Sequence, residues 1–265
     1  MNKEDLKDIK LFLFDLDGTL YLGEQLFDFT TDLLAAIRRC GAQYLFMTNN
    51  SSKSVSAYIE KLARLGIAAT YDDFITSSQA TAYYLHGNYP DAKLYVCGTK
   101  SLRDELAGEG FCVTDSCDDA TCVVIGYDTE LTYKKLEDVC RILLARDVPY
   151  IATNPDYVCP TEFGSLPDCG SICDMIANAT GKRPLFIGKP APLMLELAMK
   201  RLGVSPLETA VVGDRIYTDI KSGINAGTRS VLVMSGETDA AILAASADKP
   251  DLVLSSAGEI LAVLR

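Results

Sequence analysis

Ten residues near the start, Leu11-Phe12-Leu13-Phe14-Asp15-Leu16-Asp17-Gly18-Thr19-Leu20, constrain the fold more than any other stretch. A short unbroken apolar run fits a strand buried on both faces of a parallel sheet, and this one ends in two carboxylates two positions apart. The acids leave the sheet at its carboxyl edge, where open α/β sheets bind ligands. If the extended backbone continues, Asp15 and Asp17 face one cavity, and Gly18 lets the chain turn sharply. Such a pair can hold a cation, or divide into an ionised nucleophile and a protonated acid. Taken alone, it is equally an Asp-rich turn closing a strand.

The same rhythm recurs along the chain. Residues 29–39 have helical spacing, and a buried strand over 43–47 runs into Thr48-Asn49-Asn50-Ser51-Ser52 ahead of a helix over 54–65. Hydroxyl, amide and helix N-terminal N–H groups at a strand end suit an anion, although Asn and Ser also serve as simple caps. Strands follow at 74–76, 94–97, 121–126 and 149–153, alternating with helices that include 79–85 and 133–146. Residues 154–170 are turn-rich and too long for a mere connection. Lys189 then sits in a loop before a helix over 194–202. A buried strand over 209–213 ends in Asp214-Arg215-Ile216-Tyr217-Thr218-Asp219, and strands at 230–233 and 252–254 complete an α/β pattern.

Composition narrows the function. A net charge of −11 argues against nucleic acid and anionic membrane surfaces, so attraction for an anionic ligand has to be local. The single histidine, His86, reads as a helix-end residue far from the acid pair, which argues against histidine-based hydrolase chemistry. Nine cysteines, an odd number spread through strands, helices and loops, read as reduced thiols. Cys159, Cys169 and Cys173 lack the spacing of a zinc site. With a polar, charged first ten residues and no apolar run of spanning length, a cytoplasmic protein without membrane contact is expected.

Four strand ends or helix entries thus carry complementary groups: Asp15 and Asp17; Thr48 and Asn49; Lys189; Asp214 and Asp219. Carboxylates converging on one edge repel unless a cation joins them, and oxygen-only ligation selects Mg²⁺ over zinc. A lysine beside that cation makes a pocket for a phosphoryl group, whose transfer needs positive charge, an in-line nucleophile and a proton for the leaving oxygen. Asp15 can attack as a carboxylate nucleophile. Asp17 can protonate the leaving alkoxide and later deprotonate the attacking water.

Asp15-Leu16-Asp17-Gly18-Thr19, Thr48-Asn49-Asn50, Gly188-Lys189-Pro190 and Gly213-Asp214-Arg215-Ile216-Tyr217-Thr218-Asp219 together resemble the four motifs of the haloacid dehalogenase-like hydrolases, specifically the subfamily of NagD and the 4-nitrophenylphosphatases. The resemblance implies a Rossmann-like three-layer α/β core with a parallel sheet, formed by residues 1–78 and 185–265, and an inserted C2-type α/β cap over 79–184 that sets substrate specificity. It also implies a phosphoric monoester hydrolase with Mg²⁺ held by the Asp15 carboxylate, the Asp17 main-chain carbonyl and Asp214. By the same matching, Asp15 is the nucleophile and Asp17 the acid/base. Thr48, Asn49, Asn50 and Lys189 hold the phosphoryl group, and Asp219 supports them.

The expected partner is a small-molecule phosphate ester. Asp168 in the cap loop, without strong positive charge around it, suggests a neutral, polyhydroxylated leaving group such as a sugar; phosphoglycolate and nucleoside monophosphates are the alternatives. Caps of this size carry dimer contacts in some relatives, so a homodimer is also open. A phosphorylated regulatory switch of the receiver type, a dehalogenase and a phosphomutase are the competing readings. The first lacks a cap-sized insertion and an acid at position 17, and the second has no use for that acid or for Mg²⁺.

Overall fold

The computed structural model describes residues 1–161 and 163–265, which divide by their contacts into two units. Met1–Thr48, Ile59–Ile75 and Lys189–Arg265 form the first, and Asn49–Tyr58 with Thr76–Gly188 form the second.

Among the described residues, the first unit is built on a six-stranded sheet ordered Leu252–Leu254, Arg229–Val233, Thr209–Gly213, Leu11–Phe14, Gln43–Thr48, Phe74–Thr76. From Leu252–Leu254 through Gln43–Thr48 the neighbours run parallel, with Phe14 opposite both Val212 and Phe46. Every residue of Leu11–Phe14 and of Thr209–Gly213 is buried, as a central strand covered on both faces requires. Helices Thr30–Arg39 and Gly258–Leu264 pack against one another, as do Leu193–Leu202 and Lys221–Ala226, giving the layered Rossmann-like arrangement. The strands that carry the first and fourth motifs are therefore adjacent, though most of the chain separates them in sequence.

The second unit has its own parallel sheet, ordered Leu185–Phe186, Tyr150–Ala152, Cys122–Ile125, Lys93–Cys97, Cys112–Val113. Helices Tyr133–Ala145 and Cys169–Thr180 pack on each other beside it over a core that includes Tyr95, Val123, Ile142 and Ile172. Residues 49–58, inside the span 1–78 read from sequence as core, group with this unit by their contacts, and Ser51 is hydrogen-bonded within it. Its Oγ lies 2.8 Å from Thr153 Oγ1 and accepts from the Tyr127 N–H at 3.0 Å, while Thr99 Oγ1 donates to the Ser52 carbonyl.

Two readings are refined and one element is added. The turn-rich stretch contains an antiparallel hairpin, Val158–Thr161 with Gly164–Pro167, whose two residues Pro160 and Pro167 hide it from strand propensity. A small hairpin, Tyr21–Leu22 with Gln25–Leu26, follows the first motif and turns at Gly23, whose φ is +60°. Asp168 is not an acid presented to a ligand: it is buried, caps helix Cys169–Thr180 by accepting from the Cys169 N–H, and accepts from Asn154 Nδ2 at 3.2 Å. His86 does sit in the last turn of its helix, with its ring 4.4 Å from that of Phe111.

Candidate active site

Asp15 follows the Leu11–Phe14 strand, its N–H still bonded to the Val212 carbonyl, and Asp214 follows the neighbouring strand Thr209–Gly213. Parallel register thus delivers two carboxylates to one sheet edge. Asp219 returns to them through a wide π-helical turn over Ile216–Ile220, in which the Ile220 N–H reaches the Arg215 carbonyl. Carboxylate oxygens of Asp15, Asp214 and Asp219 all lie within 4.8 Å of one another. Lys189 enters this cluster from the loop before helix Leu193–Leu202, and its Nζ donates to Asp15 Oδ1 and to Asp219 Oδ1, each at 2.6 Å.

Glycines make the close approach possible. A Cβ at Gly213 would overlap the Asp219 carboxylate, and one at Gly236 would overlap that of Asp214. At Gly18 it would stand 2.6 Å from Asp214 Oδ2, and the φ of +80° there independently favours glycine. The loop after strand Arg229–Val233 closes the far side. Glu237 N–H donates to Asp214 Oδ2 at 2.6 Å, Thr238 N–H to the Asp214 carbonyl, and Ser235 Oγ to the Gly18 carbonyl. Residues 235–238 carry no motif signal in the sequence and were not anticipated; Gly236 is their only hint.

Burial is the dominant force on these charges. It pushes the Asp15 carboxyl up to about 8, with Asp219 and Asp214 adding to the rise and Lys189 opposing it. It likewise takes Asp214 up to about 6, helped by Asp219. Burial works against the Lys189 ammonium, but Asp15 and Asp219 outweigh it and hold the lysine above its ordinary range. Three carboxylates beside one ammonium leave negative charge in excess. Asp219 is well served, by Lys189 and by the Arg215 N–H at 3.2 Å, whereas Asp214 Oδ1 is buried with no hydrogen-bond partner among the described residues. An all-oxygen donor set with surplus negative charge and an orphaned oxygen fits a hard divalent cation.

The remaining expected residues are distributed unevenly. Thr48 ends the strand beside Leu11–Phe14 and is buried. Asn49 and Asn50 come next in the chain but cluster with the second unit. Asn49 Nδ2 donates to Asp156 Oδ2 at 2.8 Å, and Asn154 Nδ2 donates to the same oxygen at 2.9 Å. Asn50 Oδ1 accepts from the N–H and the hydroxyl of Ser52, so that carboxamide shapes its own turn. The Asp17 side chain stands outside the carboxylate cluster. Its Oδ1 is 3.5 Å from the Gly23 N–H nitrogen and its Oδ2 is 4.0 Å from Lys61 Nζ.

A buried ammonium bracketed by carboxylates at the carboxyl edge of a parallel sheet is an arrangement suited to an anionic group beside a cation. Residues 12–112 match the family model described as haloacid dehalogenase-like hydrolase, and residues 186–260 match a second, HAD-hydrolase-like model. The chain is 36% identical to the 5'-nucleotidase YutF of Bacillus subtilis, over 96% of this chain and 98% of that one. It is 36% identical to an acid sugar phosphatase of Staphylococcus haemolyticus over 88% of each. The 4-nitrophenylphosphatase of Thermotoga maritima superposes with a TM-score of 0.94 at 35% identity, covering 98% of this chain and 99% of the other. The chain belongs to the haloacid dehalogenase-like hydrolases, in the group of NagD and the 4-nitrophenylphosphatases, and is a phosphoric monoester hydrolase. Among the described residues, no helix is long and apolar enough to cross a membrane.

Proposed function

We propose that this chain hydrolyses small phosphate monoesters, sugar phosphates among them, through an aspartyl-phosphate on Asp15 and with Mg²⁺ as its cation. The observation that carries this reading is the placement of the Lys189 ammonium 2.6 Å from both Asp15 and Asp219, with Asp214 in the same cluster. The Asp15 and Asp214 carboxylates and the Asp17 main-chain carbonyl would hold the ion. When bound it neutralises the surplus charge that otherwise keeps a proton on Asp15, and it orients the phosphoryl oxygens.

Asp15 attacks phosphorus with a carboxylate oxygen as the bond to the leaving oxygen breaks. Asp17 gives that oxygen its proton, then takes a proton from the water that attacks the aspartyl-phosphate, returning Asp15 as a free carboxylate and releasing inorganic phosphate. Lys189 and Thr48 hold the phosphoryl oxygens together with Asn49, while Asn50 shapes the loop. Asp219 keeps Lys189 in place. Selection of the leaving group is assigned to the inserted segment 79–184.

A sugar leaving group is supported by the acid sugar phosphatase relative, and no longer by Asp168, whose charge serves a helix cap. The nucleotidase relative favours a nucleoside monophosphate as the second reading. The test is phosphate release from a panel of sugar phosphates, nucleoside monophosphates, phosphoglycolate and 4-nitrophenyl phosphate, with and without Mg²⁺. Mg²⁺-dependent turnover that Asp15→Asn abolishes is expected, with the highest kcat/KM on a sugar phosphate. Turnover unaffected by Asp15→Asn would overturn the reading. A long-lived phosphoprotein without turnover would favour a regulatory switch.

A further inference from the structure

Lys61 belongs to none of the four motifs, yet it is built closely into the first of them. It stands in the last turn of the amphipathic helix Val55–Arg64, and its side chain is only 13% exposed. An ammonium withdrawn from water needs compensation from its neighbours. Here the face of the buried Tyr21 ring lies 4.0 Å from Nζ, with Glu24 Oε1 at 3.9 Å and Asp17 Oδ2 at 4.0 Å. All three partners come from the turn and small hairpin that follow Asp15. That turn is closed by the Gly18 N–H donating to the Tyr21 carbonyl at 2.7 Å.

The two oxygens of Asp17 are therefore next to the hairpin backbone at Gly23 and the Lys61 ammonium, and Asp17 is not one of the three clustered carboxylates. In-line displacement puts the leaving oxygen on the opposite side of phosphorus from the nucleophile, so an acid serving that oxygen has to stand clear of Asp15. The Asp17 side chain is half exposed, and a carboxylate in that setting would otherwise move among its rotamers. At 4.0 Å the contact with Lys61 is a charge contact and not a hydrogen bond, so it adds little to stability. Its effect is on where the carboxylate stands.

We infer that Lys61 is a positioning residue for Asp17, anchoring the hairpin through Tyr21 and Glu24 and holding the carboxylate where it meets the leaving oxygen. The inference rests on the reading of Asp17 as the acid. As the bond to phosphorus breaks, its electron pair goes to the leaving oxygen, and that oxygen takes the Asp17 proton.

The test compares kcat/KM for 4-nitrophenyl phosphate, whose nitrophenolate departs without a proton, with that for the best alkyl phosphate of the panel, whose alkoxide does not. Asp17→Asn is expected to lose at least about a hundredfold more on the alkyl ester. Lys61→Met is expected to lose about tenfold on the alkyl ester and less than about twofold on 4-nitrophenyl phosphate, with Lys61→Arg restoring most of the loss. Lys61→Gln, which keeps part of the stem, serves if the Met variant is unstable. Equal losses on both esters, or no loss on either, would overturn the role of Lys61 while leaving Asp17 intact as the acid. An Asp17→Asn variant with no preference between the esters would remove the acid reading, and the Lys61 inference with it.

Discussion

Burial raises the Asp15 and Asp214 carboxyls to about 8 and about 6, and this makes stability depend on pH in a definite direction. A carboxyl with a raised folded pKa binds its proton more tightly in the folded state. Stability therefore falls as pH rises from the ordinary carboxylate range through those values, and levels off above them. A divalent cation at the cluster removes the penalty of ionisation, so Mg²⁺ should raise the thermal midpoint more at pH 8 than at pH 5. Scanning fluorimetry checks this, and an equal rise at both would count against the site. Gly236 makes a second prediction. A Cβ there overlaps the Asp214 carboxylate, so Gly236→Ala should lower kcat by at least about tenfold and raise the Mg²⁺ concentration needed for half-maximal rate. The meeting of Asp15, Lys189, Asp214 and Asp219 was legible because each stands in a motif at a strand end or a helix entry. Gly236 and Glu237 were not, because their part is to leave space or to offer a main-chain N–H outside any motif.

Two helices of the second unit carry predictions of their own. Asp168 caps Cys169–Thr180 and also satisfies Asn154, so Asp168→Ala should cost about 2 kcal/mol in urea denaturation, chiefly through the lost cap and the stranded amide. Glu105, on helix Lys100–Gly108, is pushed up to about 7 by burial, with Glu109 adding to the rise and Ser78 opposing it. Ionising it in the folded state is unfavourable. Glu105→Gln should stabilise the protein by roughly 1 to 3 kcal/mol at pH 8, and the gain should shrink through the range between the unfolded and folded values and disappear below about pH 4, where the carboxyl is largely protonated folded or unfolded. Denaturant midpoints at the two pH values test it. Strands such as Leu11–Phe14, Gln43–Thr48 and Cys122–Ile125 could be read from their apolar runs, because burial on both faces leaves no other composition. The hairpin Val158–Thr161 with Gly164–Pro167 could not. Four of its eight strand residues are exposed in Gly164–Pro167 alone, and two prolines disrupt the pattern.

At the scale of the molecule, parallel register does what sequence distance conceals. It sets the strand of Asp15 beside that of Asp214, and a lysine 174 positions after Asp15 completes the cluster. The α/β alternation and the four motifs made this core legible. The grouping of residues 49–58 with the second unit was not, since it is a matter of contacts, such as those of Ser51 with Thr153 and the Tyr127 N–H, between segments with no shared pattern. The central claim is that a carboxylate oxygen of Asp15, beside Lys189 and a cation held with Asp214, takes the phosphoryl group. The most direct measurement is a crystal structure of the protein treated with Mg²⁺ and beryllofluoride, a mimic of a transferred phosphoryl group. Beryllium bonded to an Asp15 oxygen is the predicted result, with Lys189 on a fluoride and Mg²⁺ contacting Asp15, Asp214 and the Asp17 carbonyl. Beryllofluoride on another side chain, or Mg²⁺ bound away from Asp214, would contradict it.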